Sequence, residues 1–307
     1  RIRIWSAPAA LANYAMLGWF IGLGRARIAL VLQLILNLTN IALDAFFVLV
    51  LDMTADGVAL GTVIAEITAA AAGLWLVARE LARRGGRWER HLILRLDRLK
   101  RMLAVNFDIM VRTLSLIFAF SFFTAQGSAQ GDIMLAANAV LLHLFMMTGY
   151  FLDGFAFAAE ALVGQTVGAG RRAAFDQAVA RTTQWSIAIG LGVSALILLA
   201  GGLFIDLLTI SEVVRETARQ YLFWAALTPV AGVACFQLDG IFIGATRTAD
   251  MRNMMIVSLI VYLIAWSVLM PRFGNHGLWA ALNIFLIARG ITLGLRFRAL
   301  RRDAFAG

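Results

Sequence analysis

Six carboxylates interrupt the apolar runs of this 307-residue chain: Asp44, Glu66, Asp108, Asp153, Glu160 and Asp239. Each costs about 2.5–3.5 kcal/mol near the centre of a helix in oil, so each needs a partner, a cavity or a proton. Asn40 and Asp44 lie four apart in "NLTNIALDAFFVLVL" and share one helix face. An amide beside a carboxylate can donate to its charged form, or join it in presenting oxygens to Na⁺. A structural hydrogen bond to a neighbouring helix explains the same pair equally well. Asp108 and Arg112 are also four apart, acid first, the order that suits an ion pair within one helix. Such a pair can simply cancel two charges in the membrane interior, or it can take part in ion coupling. Asp153 and Glu160 flank "GFAFAAE". Asp153 and Asp239 are candidates to line a cavity, with a hydrogen bond across helices as the plain alternative. Glu160, nearer the end of its span, is a solvated residue or a gate.

Other chemistry is excluded by what the chain lacks. It has no G-x-x-x-x-G-K-[ST] and no G-x-S-x-G, which leaves it without an ATPase loop or a nucleophile elbow. The three histidines, His91, His143 and His276, are not at metal-ligand spacing, and no resident cofactor or metal is expected. A single cysteine, Cys235, rules out a disulfide within the chain. An enzyme is therefore not the expected reading.

The elements that must position these residues are membrane helices. The chain is 61% hydrophobic and 15% charged, with three prolines and a mean hydropathy of +0.82. Soluble domains have about 45–50% apolar and about 25% charged residues. Nine apolar spans are expected, near 6–24, 28–51, 58–82, 102–126, 133–166, 177–200, 220–245, 251–270 and 276–297. The stretch 203–219 reads as amphipathic and is expected to lie along the outer interface. The net charge of +9 does not point to nucleic acid, because the basic residues lie between apolar runs. Nineteen of them fall after spans 1, 3, 5, 7 and 9, against five on the opposite side. That bias places the odd-numbered exits and the C-terminus in the cytoplasm.

The chain also repeats itself. "GWFIGLGR" at 18–25 matches "GIFIGATR" at 240–247, and glycine-led third spans follow at Gly57 and Gly277. Spans 1–3 thus correspond to spans 7–9 in the same orientation, as in parallel repeats about an axis along the membrane normal. The glycine pairs Gly18/Gly22 and Gly240/Gly244 are read as close helix packing. Three spans precede the second copy and none the first. The repeat therefore predicts three further spans, about 120 residues, ahead of Arg1. The expected fold is an all-α membrane protein with two six-helix lobes. On that reading 1–84 closes the first lobe, 85–100 is a basic inter-lobe loop, and 101–307 is the second lobe.

Three stretches resemble the multidrug and toxic compound extrusion (MATE) family, in its DinF-like branch. They are "WSAPAALANYAMLGWFIGLGRAR" at 5–27, "LAANAVLLHLFMMTGYFLDGFAFAAEALVGQTVGAG" at 135–170 and "FQLDGIFIGATRTADMRN" at 236–253. The resemblance covers essentially the whole chain, as spans 4 to 12 of the family's twelve. It implies a secondary antiporter that exports organic, often cationic, compounds in exchange for H⁺ or Na⁺, by alternating access between two lobes. It also implies a cation site in the first lobe. The family's Asn-x-x-x-Asp is matched by Asn40 and Asp44, with Asn13 and Thr62 at the positions of an Asn and a Thr on the flanking helices. A further Asp of that family site belongs to a helix that this chain does not include.

The expected protein is a monomeric, multi-pass exporter of the bacterial-type inner membrane, its partners small organic molecules and the bilayer. A flippase for lipid-linked sugars, from the same broad superfamily, is the alternative within transport and should show an arginine-lined cavity. A membrane protein that moves no solute is the alternative outside it.

Overall fold

The computed structural model describes residues 2–85 and 95–306. Among them are nine α-helices and no strand: α1 (Ala7–Gly22), α2 (Ala26–Ala45), α3 (Ala55–Arg83), α4 (Leu96–Ser128), α5 (Asp132–Gly168), α6 (Arg172–Leu208), α7 (Glu212–Gly244), α8 (Thr248–Phe273) and α9 (Asn275–Asp303). A 3-10 turn, Ile2–Ser6, leads into α1, and a π turn, Phe46–Val50, extends α2. All but α1 are long and apolar enough to cross a bilayer. The nine expected spans correspond to these nine helices.

Two expectations need correcting. The stretch 203–219 is not one continuous segment: it is the end of α6, a turn at 209–211 and the start of α7. Helix α6 has 37 residues and reaches about 55 Å, well past a ~30 Å hydrocarbon core. The basic loop placed at 85–100 is helical from Leu96 onward, while 86–94 lie outside the described residues.

Three arginine-bearing turns close in one way. In "GLGR", "GAGR" and "GATR" the third residue, Gly24, Gly170 or Thr246, has a left-handed φ of 71°, 65° or 55°. The following arginine N–H then reaches five residues back, Arg25 to Phe20, Arg171 to Thr166 and Arg247 to Phe242, at 2.8–2.9 Å. This is the Schellman closure, which satisfies carbonyls a helix end would leave bare. Thr246 takes that conformation without being glycine.

The chain forms two compact units, Arg1–Arg95 and Leu96–Gly307. In the first, α3 packs against α1 and α2 around Phe20, Ala29 and Leu32. In the second, α7 is central, flanked by α5, α6 and α9, and α8 bridges α9 to α4. Pro229 within α7 cannot donate to the Ala225 carbonyl, and the Thr228 hydroxyl donates to it instead at 2.6 Å. Buried amides tie the other helices. Asn138 of α5 and Asn275 of α9 exchange hydrogen bonds at 2.8 and 3.0 Å. On the other flank, Gln237 of α7 donates to Thr182 and accepts from Ser186, both on α6.

Candidate functional site

In the first unit, one face of α2 is polar along its length. Gln33, Asn37, Asn40 and Asp44 recur at intervals of four, three and four, which is helical spacing. The Asn40 amide donates to Asp44 Oδ1 at 3.3 Å and to the Thr62 hydroxyl on α3 at 3.4 Å. Thr62 in turn donates to the Val58 carbonyl at 2.9 Å, which leaves its lone pairs toward Asn40. Gly61, one residue earlier, packs directly on the Asp44 carboxylate: a Cβ there would collide with Oδ1. The cluster is half-buried and offers a carboxylate, an amide and a hydroxyl oxygen with no guanidinium or ammonium partner among the described residues.

Asn13 does not join this cluster. Its amide donates to the Glu66 backbone carbonyl at 2.9 Å, one turn further along α3 than Thr62. There it lines a cavity of about 260 Å³ with Gln33, Asn37 and Glu66. Oε2 of Glu66 is buried there without a hydrogen-bond partner. The expected four-residue set is thus divided: three side chains meet, and the fourth belongs to a neighbouring polar pocket. The two share the α2 stripe.

In the second unit the intrahelical pair Asp108–Arg112 does not form. Asp108 accepts from Arg252 Nη1 at 2.5 Å and from the Thr248 hydroxyl at 3.0 Å, both on α8. Arg112 turns instead to Asp239 on α7. Asp239 Oδ2 also accepts from Arg289 Nη2 on α9 at 2.6 Å. One buried carboxylate therefore stands between two guanidiniums from two other helices. Arg289 is itself 2% exposed, so it is a core residue rather than one at the basic margin of its span. Spacing of four permits a contact; in a low-dielectric interior, the better-aligned partner on a facing helix wins.

Asp153 on α5 is half-buried and within electrostatic range of Arg112, Asp239 and Arg289, which gives the cluster a second carboxylate. Glu160 lies two turns on, where its backbone carbonyl is packed by Gly244, as the Ala156 carbonyl is by Gly240. The glycine spacing in α7 thus brings α7 and α5 backbone to backbone. The roles of Arg289, Arg252 and the Gln33/Asn37 stripe were missed in the sequence. The stripe was visible as a continuation of the Asn40–Asp44 spacing; the arginine partners were not.

No group of three or more metal-ligating His, Cys, Asp or Glu side chains occurs among the described residues. The Asn40–Asp44–Thr62 oxygens are suited to a hard monovalent cation or a proton rather than a transition metal.

These helices, with their length, apolar surface and buried charges, define an all-α, multi-pass membrane protein. The profile of the MatE family matches residues 109–268, more than half of the chain, and the chain belongs to that family. It is 41% identical over 297 residues to DNA damage-inducible protein F of Escherichia coli (strain K12), covering 97% of this chain and 64% of that protein. Over 290 residues it is 25% identical to Protein DETOXIFICATION 44, chloroplastic, of Arabidopsis thaliana, covering 94% of this chain and 54% of that protein. The chain thus spans about half to two thirds of the length of these relatives. Its fold superposes on the Vibrio cholerae MATE transporter VcmN in the bent form with a TM-score of 0.86 at 18% identity, covering 99% of this chain and 69% of that one.

Proposed function

We propose that this chain forms part of a secondary antiporter that exports organic, often cationic, compounds in exchange for H⁺ or Na⁺ by alternating access. The observation that carries the reading is the Asn40–Asp44–Thr62 cluster, a carboxylate served by neutral groups alone among the described residues. A carboxylate so placed keeps its charge available for a proton or Na⁺ that arrives and leaves. The polar cavity beside it, with an unpartnered Glu66 oxygen, supports a route for a cationic solute along the α2 stripe. The distribution of basic residues supports an inner-membrane protein with its C-terminus in the cytoplasm, and we take it to act as a monomer.

The test is dye efflux from proteoliposomes holding the full-length protein, under an imposed pH or Na⁺ gradient, with Asp44→Asn alongside. Export driven by one gradient and lost in the variant supports the reading and names the ion. Equal export by both proteins removes Asp44 from coupling.

The second reading, a flippase for lipid-linked anionic sugars, is favoured by one specific observation. Arg112 and Arg289 converge inside the second unit, where an exporter of cations calls for acidic walls. Their joint engagement by Asp239 supports a structural role instead. Transfer of a pyrophosphate-linked lipid across the same vesicles, abolished by Arg112→Gln, would reverse that judgement.

A further inference from the structure

We propose that the second unit holds one anionic phospholipid in a groove along α7, between α6 and α9. The phosphate headgroup sits at the arginine-rich end and an acyl chain lies against the apolar wall. Two adjoining cavities carry the inference. The first, of about 420 Å³, lies between the N-terminus of α6 and the C-terminal turns of α9 and is lined by Arg172, Arg298, Arg301 and Arg302 against a single carboxylate, Asp176. The second, of about 370 Å³, runs along α7 and is almost wholly apolar. Val179 of α6 and Phe297 of α9 line both, so the basic pocket adjoins the apolar groove at these residues.

The arginines are not equivalent. Arg301 is spent on Asp176, donating from Nε at 2.7 Å and Nη2 at 2.5 Å, a pairing that fixes α9 to α6. Arg302 donates to Asp303 at 3.1 Å. Arg172 and Arg298 are exposed and in no ion pair among the described residues. Arg172 lies within electrostatic range of Asp176 without a direct ion pair, and with Arg298 it offers planar forks that match the oxygens of a phosphate diester. The first turn of α6 adds to this, having neither an acidic residue nor a side-chain cap.

The groove has the dimensions of a lipid tail. Its α6 wall is Val179, Thr183, Ile187 and Leu191, a strict stripe at intervals of four. That stripe rises about 18 Å, against ~15 Å for half of a ~30 Å hydrocarbon core. Gln237, the polar residue of the α7 floor, has its amide turned inward to Thr182 and Ser186, which keeps the groove dry. A solvated basic face would need no such channel beneath it. Basic pockets between membrane helices are a recurrent means of holding anionic headgroups.

The experiment is native mass spectrometry of the purified protein in detergent, titrated with dioleoyl phosphatidylglycerol or dioleoyl phosphatidylcholine, with inorganic phosphate as competitor. Phosphatidylglycerol should bind at least tenfold more tightly than phosphatidylcholine. An arginine near an anionic headgroup is worth roughly fivefold, so Arg172→Ala with Arg298→Ala should weaken it about 25-fold. Each single variant should weaken it about fivefold, and these decide the matter if the double variant does not fold. Thr183→Trp fills the groove and should weaken the lipid as well, with the arginines untouched. Equal binding of the two lipids, or no effect of the arginine variants, overturns the proposal. Displacement of the lipid by millimolar inorganic phosphate together with normal binding by Thr183→Trp also overturns it, in favour of a free-phosphate pocket.

Discussion

Asp44 in the first unit and Asp239 in the second are both aspartates in helices that cross the membrane, yet they are held in opposite ways. Asp44 is half-buried and receives one amide hydrogen bond, with Gly61 pressed against it. Asp239 is 5% exposed and lies between two guanidiniums. The difference lies in what the partner's charge permits. Neutral donors position a carboxylate and leave its charge for a visitor. Arginines supply a fixed counter-charge, and losing the carboxylate would then strand one buried cation, Arg289, and one partly buried cation, Arg112. A carboxylate in a membrane helix is therefore not by itself a coupling residue; its partners decide.

The sharpest way to break this comparison is to neutralise both. Asp239→Asn should destabilise the protein by about 3–5 kcal/mol, the range for removing one member of a buried ion pair. Asp44→Asn should stay within ~1 kcal/mol while abolishing gradient-driven export. Thermal unfolding in detergent beside the efflux assay measures both, and a reversed order of the stability losses would erase the distinction.

A second pair tests the repeat. Gly240 packs on the Ala156 carbonyl, whereas its counterpart Gly18 meets nothing within 4 Å. Gly240→Ala should cost about 1–3 kcal/mol through overpacking. In this chain Gly18→Ala should be neutral or stabilise by up to about 0.5–1 kcal/mol, since alanine is the better helix former. The same unfolding curves report it, and similar losses in both would mean that the glycines are equivalent after all.

Gly61→Ala is subtler. Its methyl group would displace the Asp44 carboxylate, a movable side-chain end, so stability should change by less than ~1 kcal/mol. Efflux at a fixed gradient should nevertheless fall several-fold; unchanged efflux would show that the position of Asp44 is not critical.

The smallest effects belong to the turn arginines. Arg25 pairs with Glu80 at 3.4 Å and Arg247 with Asp303 at 2.7 Å, so both repeats link the first turn to the end of their third helix. These arginines are partly exposed, and Arg25→Ala or Arg247→Ala should each cost at most about 1 kcal/mol. Each acid also has a second arginine, Arg84 at 2.8 Å from Glu80 and Arg302 at 3.1 Å from Asp303, so neither loss leaves its carboxylate bare. A loss well above 1 kcal/mol for either would make this turn a structural keystone.

Much of the fold was legible because each span carries its own signal. Phe20 and Phe242, 222 positions apart in matching "G-x-F-I-G" motifs, are both fully buried. The Asn40–Asp44 pair was legible for the same local reason. Asn13 was carried over by resemblance, and the structure sends it one turn along α3, to the Glu66 carbonyl. Asp108 and Arg112 show the opposite failure: their spacing was read correctly, and the inference from it was wrong. Nothing in "NFDIMVR" announces that its acid faces Arg252 and its base faces Asp239.

The sequence by itself determined where the helices run, where the arginine-rich turns fall and which segments repeat. In oil, a helix satisfies its backbone hydrogen bonds within one segment, so a span is a property of consecutive residues. Only the tertiary structure decided which charges meet, that Arg289 is buried, and that the cavity lined by Arg172 and Arg298 shares Val179 and Phe297 with an apolar one. Those are relations between residues up to 144 positions apart, set by which helix faces pack together. A buried charge takes its partner from whatever face the packing brings within reach.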